Sequence, residues 1–475
     1  MQSTCLHSLR KRCLHYSEIV TLILMEMNLK RMLMDYAPIL GCVLFCSSCC
    51  TYSSSAPDDK YLSDFHNKYF QYTGNESILN ENDLSLFVDY STCITLGQHS
   101  PFFQSLVPSF VAATKHYYSI KGDKIVEEQN INVFQALSNI VEVNYADLKQ
   151  AANLIVNGNS EGVLLTDGEY YQKNIAGGGI SDPYMANAFK QWLKKGHDIY
   201  ILAEPYLEGP QKYNKKRFYF LFTDRRLEEN IYKRICETTK LENYPDVEMF
   251  HLSASHPTIM AENGKSKINE IISASNKNYG LYEIQDWPVD WKTIEGYIMG
   301  AVDESTGEPL QYGNPVISGL SVDRNSYGGF RISDISIKVY DINADYYNFY
   351  TETEAPTGLN LSSISLTESV NAFVYDKEEF NKHGNINIYF DVPMWNPSFL
   401  SSKPFNFTKI DINVSDVENV FDNYEEMFNF DAIGLPGKQN TSVSESVKQA
   451  LFDKDIQNMM KNANLYTIYI KSNKY

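Results

Sequence analysis

The sequence predicts a doubly wound, mostly parallel α/β sheet followed by a C-terminal β-sandwich, and three observations carry that expectation. Up to residue 278, short apolar runs alternate with stretches whose apolar residues recur near every 3.6 positions, the pattern of strands separated by crossover helices. From residue 279 the period falls to two, as in antiparallel strands with one solvated face. The 475 residues also exceed one ordinary core, so two folded domains behind a leader are expected.

Residues 1–50 read as a leader, 51–81 as a polar tether, 82–278 as the α/β domain, and 279–475 as the sandwich with a late helix. In MNLKRMLMDYAPILGCVLFCSSCC, Met27–Cys50, Lys30 and Arg31 precede an apolar run from Tyr36 to Phe45, then small residues before cysteine. This is a signal-peptide layout, too short to span a membrane, and the start of translation is Met27, Met32 or another internal methionine. The layout resembles a bacterial lipoprotein leader, which implies acylation of Cys49 after Ser47-Ser48, with Cys50 as the alternative and Cys46 where leucine is usual. TYSSSAPDDKYLSDF then supplies a Ser- and Asp-rich tether whose Asp58-Asp59 pair is similar to that of surface-exported lipoproteins.

In the α/β portion, Leu84–Val88 is the first buried strand, and Val133–Ile140 and Ala146–Val156 are helices. Gly162–Thr166 is a strand running into an Asp167-Gly168 turn, and Met185–Lys195 is a helix stopped by Gly196. Asp198–Ala203 and Phe218–Phe222 are further buried strands, the second followed by a helix over Leu227–Cys236. Beyond residue 279, Phe330–Tyr340, Val370–Tyr375, Asn385–Val392 and Lys409–Val414 alternate as strands, with no long helix among them. Ser442–Lys461 reads as one amphipathic helix and Leu465–Ile470 as a returning strand.

Lys plus Arg number 41 against 59 Asp plus Glu, and a net charge of -18 argues against a nucleic-acid partner. Nine histidines supply no evident histidine metal set. Six cysteines fall in the first fifty residues, leaving Cys93 and Cys236 in the body, so no disulfide framework is indicated. The two read as free thiols, or as a single bridge if the protein is exported.

Ligands of parallel sheets bind beyond the carboxyl ends of the strands, where FVDYSTC places Asp89 and VLLTDGE places Asp167. With the Ser91 hydroxyl these acids form an oxygen-rich cluster suited to Mg²⁺. FVDYSTC, VLLTDGE and the following FKQWLKKGHDIYILA together resemble the von Willebrand factor type A domain, over roughly Asn82 to Leu207 and as far as Ala274 at most. The resemblance implies a metal-ion-dependent adhesion site in which Asp89, Ser91 and Asp167 hold Mg²⁺ that binds an acidic group of a partner protein. Two positions depart from the family pattern: Cys93 replaces the second hydroxyl, and Asn144 stands in through its carbonyl for a middle-loop threonine. The alternative is a retained fold with a degenerate, metal-free site, in which the acids cap turns and helix starts.

Other patterns point to less. Cys93 with His99 lacks an orienting third group, His251 and His256 in HLSASH read as a turn, and Gly177-Gly178-Gly179 lacks a P-loop lysine. Lys215-Lys216-Arg217 reads as a solvated charge run, and Tyr170-Tyr171 either contact a partner or cover the Asp167 loop. The expected function is therefore non-enzymatic: a lipoprotein of the bacterial cell envelope, in the outer membrane and surface-exposed, that binds an unidentified protein and touches the membrane only through its lipid. The rivals are a metal-dependent hydrolase using the Asp89/Asp167 edge, with Ser91 or Thr92 as nucleophile, and a metal-free scaffold.

Overall fold

The computed structural model describes residues 61–70, 79–170, 179–259, 270–272, 280–287, 315–390 and 405–473, apart from a few single positions. The leader with Cys49 and Cys50, the doubtful ligand Asn144, His256, and Gly177-Gly178 lie outside the described residues.

Strand β1 (Asn80–Asp89) alternates between two apolar clusters: Leu84, Leu86 and Val88 enter one, and Phe87 enters the other. Burial on both faces makes it the centre of a layered sheet. The other strands are β2 (Thr114–Lys121), β3 (Lys124–Glu127), β4 (Ser160–Thr166), β5 (Asp198–Glu208), β6 (Tyr213–Thr223) and β7 (Glu248–Leu252). Their order across the sheet is β3-β2-β1-β4-β6-β5-β7.

Helix α1 (Leu62–Tyr69) precedes the sheet, and α2 (Thr92–Gly97) with α3 (Pro101–Ala113) carries the chain from β1 to β2. Then α4 (Val133–Ser138) and α5 (Leu148–Asn157) lead to β4, α6 (Ala186–Lys194) leads to β5, and α7 (Ile231–Thr239) follows β6. Cys93, Phe103, Leu137 and Ile231 bring α2, α3, α4 and α7 to one face; Ile155, Phe189 and Trp192 bring α5 and α6 to the other.

The sheet is mixed. Strands β2, β1 and β4 pair in parallel, but β3, β6, β5 and β7 join antiparallel, so four of the seven strands share a direction. Asp198–Ala203 and Phe218–Phe222, read as two buried strands of a doubly wound sheet, pair antiparallel as a hairpin. Both strands run longer than their apolar cores, and the four residues 209–212 close them with positive φ at Gly209 and Lys212.

The C-terminal half contains β8 (Glu270–Ile272), β9 (Gly280–Trp287), β10 (Ile317–Ser321), β11 (Phe330–Asp341), β12 (Thr367–Glu368), β13 (Phe373–Tyr375) and β14 (Asn385–Phe390). It continues with β15 (Phe405–Asn419), β16 (Phe430–Asp431), β17 (Gln439–Asn440) and β18 (Asn464–Asn473). They form a six-stranded sheet, β12-β11-β15-β18-β9-β8, a three-stranded one, β10-β14-β13, and the small β16–β17 pair. All these pairings are antiparallel except β18 with β9.

Among the described residues, four α-helices accompany these strands: α8 (Asn343–Glu354), α9 (Lys377–His383), α10 (Ser442–Leu451) and α11 (Lys454–Lys461). Alternation along β15 and β18 sends Ile410, Ile412, Val414 and Ile468 to the core shared with α6, α10 and α11, whereas Phe407 and Tyr469 face α1 and α8. Helices thus lie on both faces of this sheet.

Three further expectations are corrected. Ser442–Lys461 is two helices, because Asp453 adopts extended backbone and its carboxylate accepts from Asp455 N–H, starting α11 afresh. Helix α8 interrupts the strands, its buried residues limited to Asn343, Tyr346 and Phe349, too few to signal a helix from periodicity. Inside the stretch read as polar tether, residues 61–70 carry α1, whose Leu62 and Phe65 are buried against Ile342, Tyr346 and Tyr469.

Candidate functional site

Strands β1 and β4 lie in parallel register, Leu86 beside Val163 and Val88 beside Leu165, so their carboxyl ends deliver Asp89 and Asp167 to one edge. Ser91 takes extended backbone before α2, and its Oγ lies 3.0 Å from Cys93 Sγ in the first turn. One ligand atom each of Asp89, Cys93 and Asp167 lies within 4.8 Å of the others. The two predicted acids therefore meet, and the departure Cys93 joins them as a third donor.

Thr166 Oγ1 donates to Asp89 Oδ2 at 2.8 Å and accepts from Gly168 N–H at 3.1 Å. Asp167 Oδ1 accepts from Glu169 N–H at 2.9 Å. Asp89 Oδ1 is buried, and Ser91 lies close enough to the Asp89 carboxylate to favour its ionised form. Exposure is 1% for Asp89, 0% for Cys93 and 7% for Asp167, so the edge is closed.

The hairpin closes it from one side. The β4–β6 ladder ends at Thr166 opposite Phe218, but β5 and β6 remain paired out to Glu208 opposite Tyr213. This overhang is roughly 17 Å at ordinary strand rise. Lys215, Arg217 and Tyr219 all turn inward from β6 and are buried, so two members of the expected solvated charge run are interior. Strand alternation is the cause: Lys216, between them, turns out to Glu248 at 2.7 Å. Arg217 Nη1 donates to Glu204 Oε2 at 2.5 Å and its Nε donates to the Cys93 carbonyl at 2.9 Å, while Lys215 Nζ donates to Glu169 Oε1. Gly97 makes room for this: a Cβ there would sit 1.8 Å from Arg217 Cζ.

The C-terminal half closes the other side. Tyr184 hydroxyl donates to the Gly168 carbonyl at 3.0 Å, and Ser442 Oγ, opening α10, donates to the same oxygen at 3.3 Å. Gly168 has φ +75, and a Cβ on it would stand 2.8 Å from Val443 Cγ2. Tyr170 stacks on Tyr184, with ring centroids 4.6 Å apart.

Burial dominates the electrostatics. It raises Asp89 from 3.8 to about 7, with Glu169 adding to the rise and hydrogen bonds from Thr166 and Ser91 opposing it. Asp167 is pushed well above the carboxylate range by burial, then by Asp89 and Glu169. The Cys93 thiol is likewise pushed up by burial, then by Asp167 and Asp89. Two acids this close and this dry do not both ionise unless positive charge joins them.

No family model, curated protein or solved structure matches this chain. The site must therefore be judged on its own donors. Mg²⁺ takes a hard, octahedral oxygen shell that keeps several waters. Here the third donor is sulfur, Ser91 Oγ is turned to that sulfur, Thr166 Oγ1 is committed to Asp89, and the surroundings are closed. The donor set does not fit Mg²⁺.

The remaining motifs fall elsewhere. Cys93 is buried and Cys236 exposed, both free, and His99 is exposed. His251 Nε2 lies 3.0 Å from Asp198 Oδ1 at the start of β5, on the opposite edge of the sheet. Among the described residues, no helix is long and apolar enough to cross a membrane.

Proposed function

We propose that this chain is a lipid-anchored protein of the bacterial cell envelope that acts by binding another protein and not by turning over a substrate. The closure of the strand-end edge carries the reading: Asp89, Cys93 and Asp167 lie beneath the β5–β6 overhang and the start of α10. A hydrolase needs its acids and nucleophile open to a substrate. The order and spacing of FVDYSTC and VLLTDGE support a type A-like unit, and the six-stranded sheet beyond residue 279, covered by helices on both faces, packs as its partner. In this reading the strand-end acids hold the chain together from inside, and the partner is met by the outer surface. The leader supports anchoring in the outer membrane through Cys49, or Cys50, with the folded part facing outward.

Radiolabelled palmitate is expected to enter the wild-type chain in a bacterial host and to be absent when Cys49→Ala and Cys50→Ala are combined. Label persisting in the double variant removes the anchor. A phosphatase and peptidase screen is expected to be blank, and turnover that disappears in Asp89→Asn would restore the hydrolase.

A further inference from the structure

On the basis of the protein-binding reading, we propose that the open edge of β5 beyond Ala203, with the cleft beside it, binds a short extended segment of a partner protein that carries lysine or arginine among apolar residues. Strand β5 pairs with β6 along its whole length, from Asp198 opposite Thr223 to Glu208 opposite Tyr213. On its other side β7 accompanies it only from Ile199 to Ala203, so among the described residues 204–208 have a strand neighbour on one side alone. The chain cannot join this edge before Glu248, because its approach is a turn: Val247 N–H donates to the Tyr244 carbonyl at 3.0 Å, and Pro245 has no N–H to give.

A proline sits within a sheet where its missing N–H faces an edge. Pro205 therefore turns its main chain to the open side, and Leu207, two residues on, does the same. An added strand finds there the Pro205 carbonyl and both main-chain groups of Leu207, enough to hold a short segment in line with β7.

A cleft of about 380 Å³ adjoins this edge, large enough for a side chain of that segment. Its apolar walls are Pro101 and Phe102 from the start of α3, Pro205, and Tyr244 and Val247 from the turn. The walls are fixed in place: Phe102 and Tyr244 meet edge to face with centroids 5.0 Å apart, and Tyr244 hydroxyl donates to the Pro101 carbonyl at 3.4 Å. Leu207, 58% exposed, extends the apolar surface along the strand.

Charge selects the occupant. Glu204 and Asp246 line the cleft with no lysine, arginine or histidine beside them, and Glu208 ends the edge. Lys216 and Arg217 are already bound to Glu248 and Glu204. A second copy of this chain fits badly, because two such edges would set Glu204, Glu208 and Asp246 against their own kind on chains of net charge -18. A basic, apolar strand meets opposite charge and an apolar wall.

The probe is a peptide of about seven residues, long enough to span the overhang. It alternates lysine with valine, carries photoreactive benzoylphenylalanine at its centre, and is added to the full chain. Irradiation is expected to cross-link it within residues 101–102, 204–208 or 243–247. N-methylation of alternate peptide residues should abolish binding in one register and spare it in the other, because a strand added to an edge bonds through every second residue. Glutamate in place of each lysine should remove binding, and Asp246→Lys, on the exposed turn, should weaken the lysine peptide several-fold. Failure to hold the peptide, cross-links elsewhere, the same response to both registers, or indifference to Asp246→Lys would each overturn this surface and leave protein binding elsewhere on the chain intact. A dimer in sedimentation that Leu207→Lys disperses would overturn it in favour of a second copy. A peptide cut and not held would overturn the protein-binding reading itself.

Discussion

Asp89 carries more of this molecule's electrostatic tension than any bulk property suggests. Its carboxyl is held at about 7 in the folded chain against 3.8 ordinarily, so between those values the folded state binds the extra proton. The resulting stabilisation is complete below the lower value and is lost as pH rises through the upper one. In urea unfolding, ~3 kcal/mol is expected to be lost from this group between about pH 4 and pH 7, with Asp89→Asn flattening that slope. Gly168 offers a test of the closure itself. Its positive φ and the nearness of Val443 mean that Gly168→Ala should destabilise the chain by about 2 kcal/mol in the same assay. Asp89, Ser91 and Asp167 are legible in the sequence because an acid after an apolar run marks a strand end. Cys93 is legible as a departure and not as a participant, since sequence alone cannot show that its sulfur comes within 4.8 Å of both carboxylates.

At the scale of elements, the β5–β6 hairpin turns a strand-end crevice into an interior. Apolar patterning identifies its two buried cores, Asp198–Ala203 and Phe218–Phe222, correctly as strands. It does not identify their direction, because a strand buried on both faces reads the same in either sense. Nor does it reveal the overhang, where polar residues are covered by other parts of the chain. Alternation there yields a sharp contrast between neighbours. Arg217→Ala should cost about 3 kcal/mol, because Glu204 is left buried without a countercharge, facing only the Tyr219 hydroxyl, whereas Lys216→Ala should change stability by less than about 0.5 kcal/mol. Chemical denaturation of the two variants side by side checks this, and equal losses would mean that the inward placement of Arg217 does not matter.

Across the whole molecule, one apolar cluster runs from Phe189 and Trp192 on α6, through Val443 and Val447 on α10 and Ile456 on α11, to Ile410 and Ile412 on β15. Sequence patterning separates the two halves at the change of period near residue 279, but it cannot show helices from the second half lying on a helix of the first. The smaller cluster around Phe65 and Tyr346 adds α1 to the second sheet. Phe65 is 0% exposed, so Phe65→Ala should lower stability by about 3 kcal/mol and speed proteolysis within residues 61–70 while sparing β1. Cleavage that is no faster than in the wild type would show that α1 is held by something other than this core.

The hydrogen bond of His66 Nδ1 with Tyr469 hydroxyl, at 3.0 Å, joins positions 403 residues apart. A chain synthesised or exported from its amino end makes α1 long before it makes β18. During that interval the helix has no sheet to receive it, and Leu62 and Phe65 remain available to whatever machinery escorts the chain. The docking of α1 is thus a late event in the life of the chain, reporting that β18 has emerged and found its place.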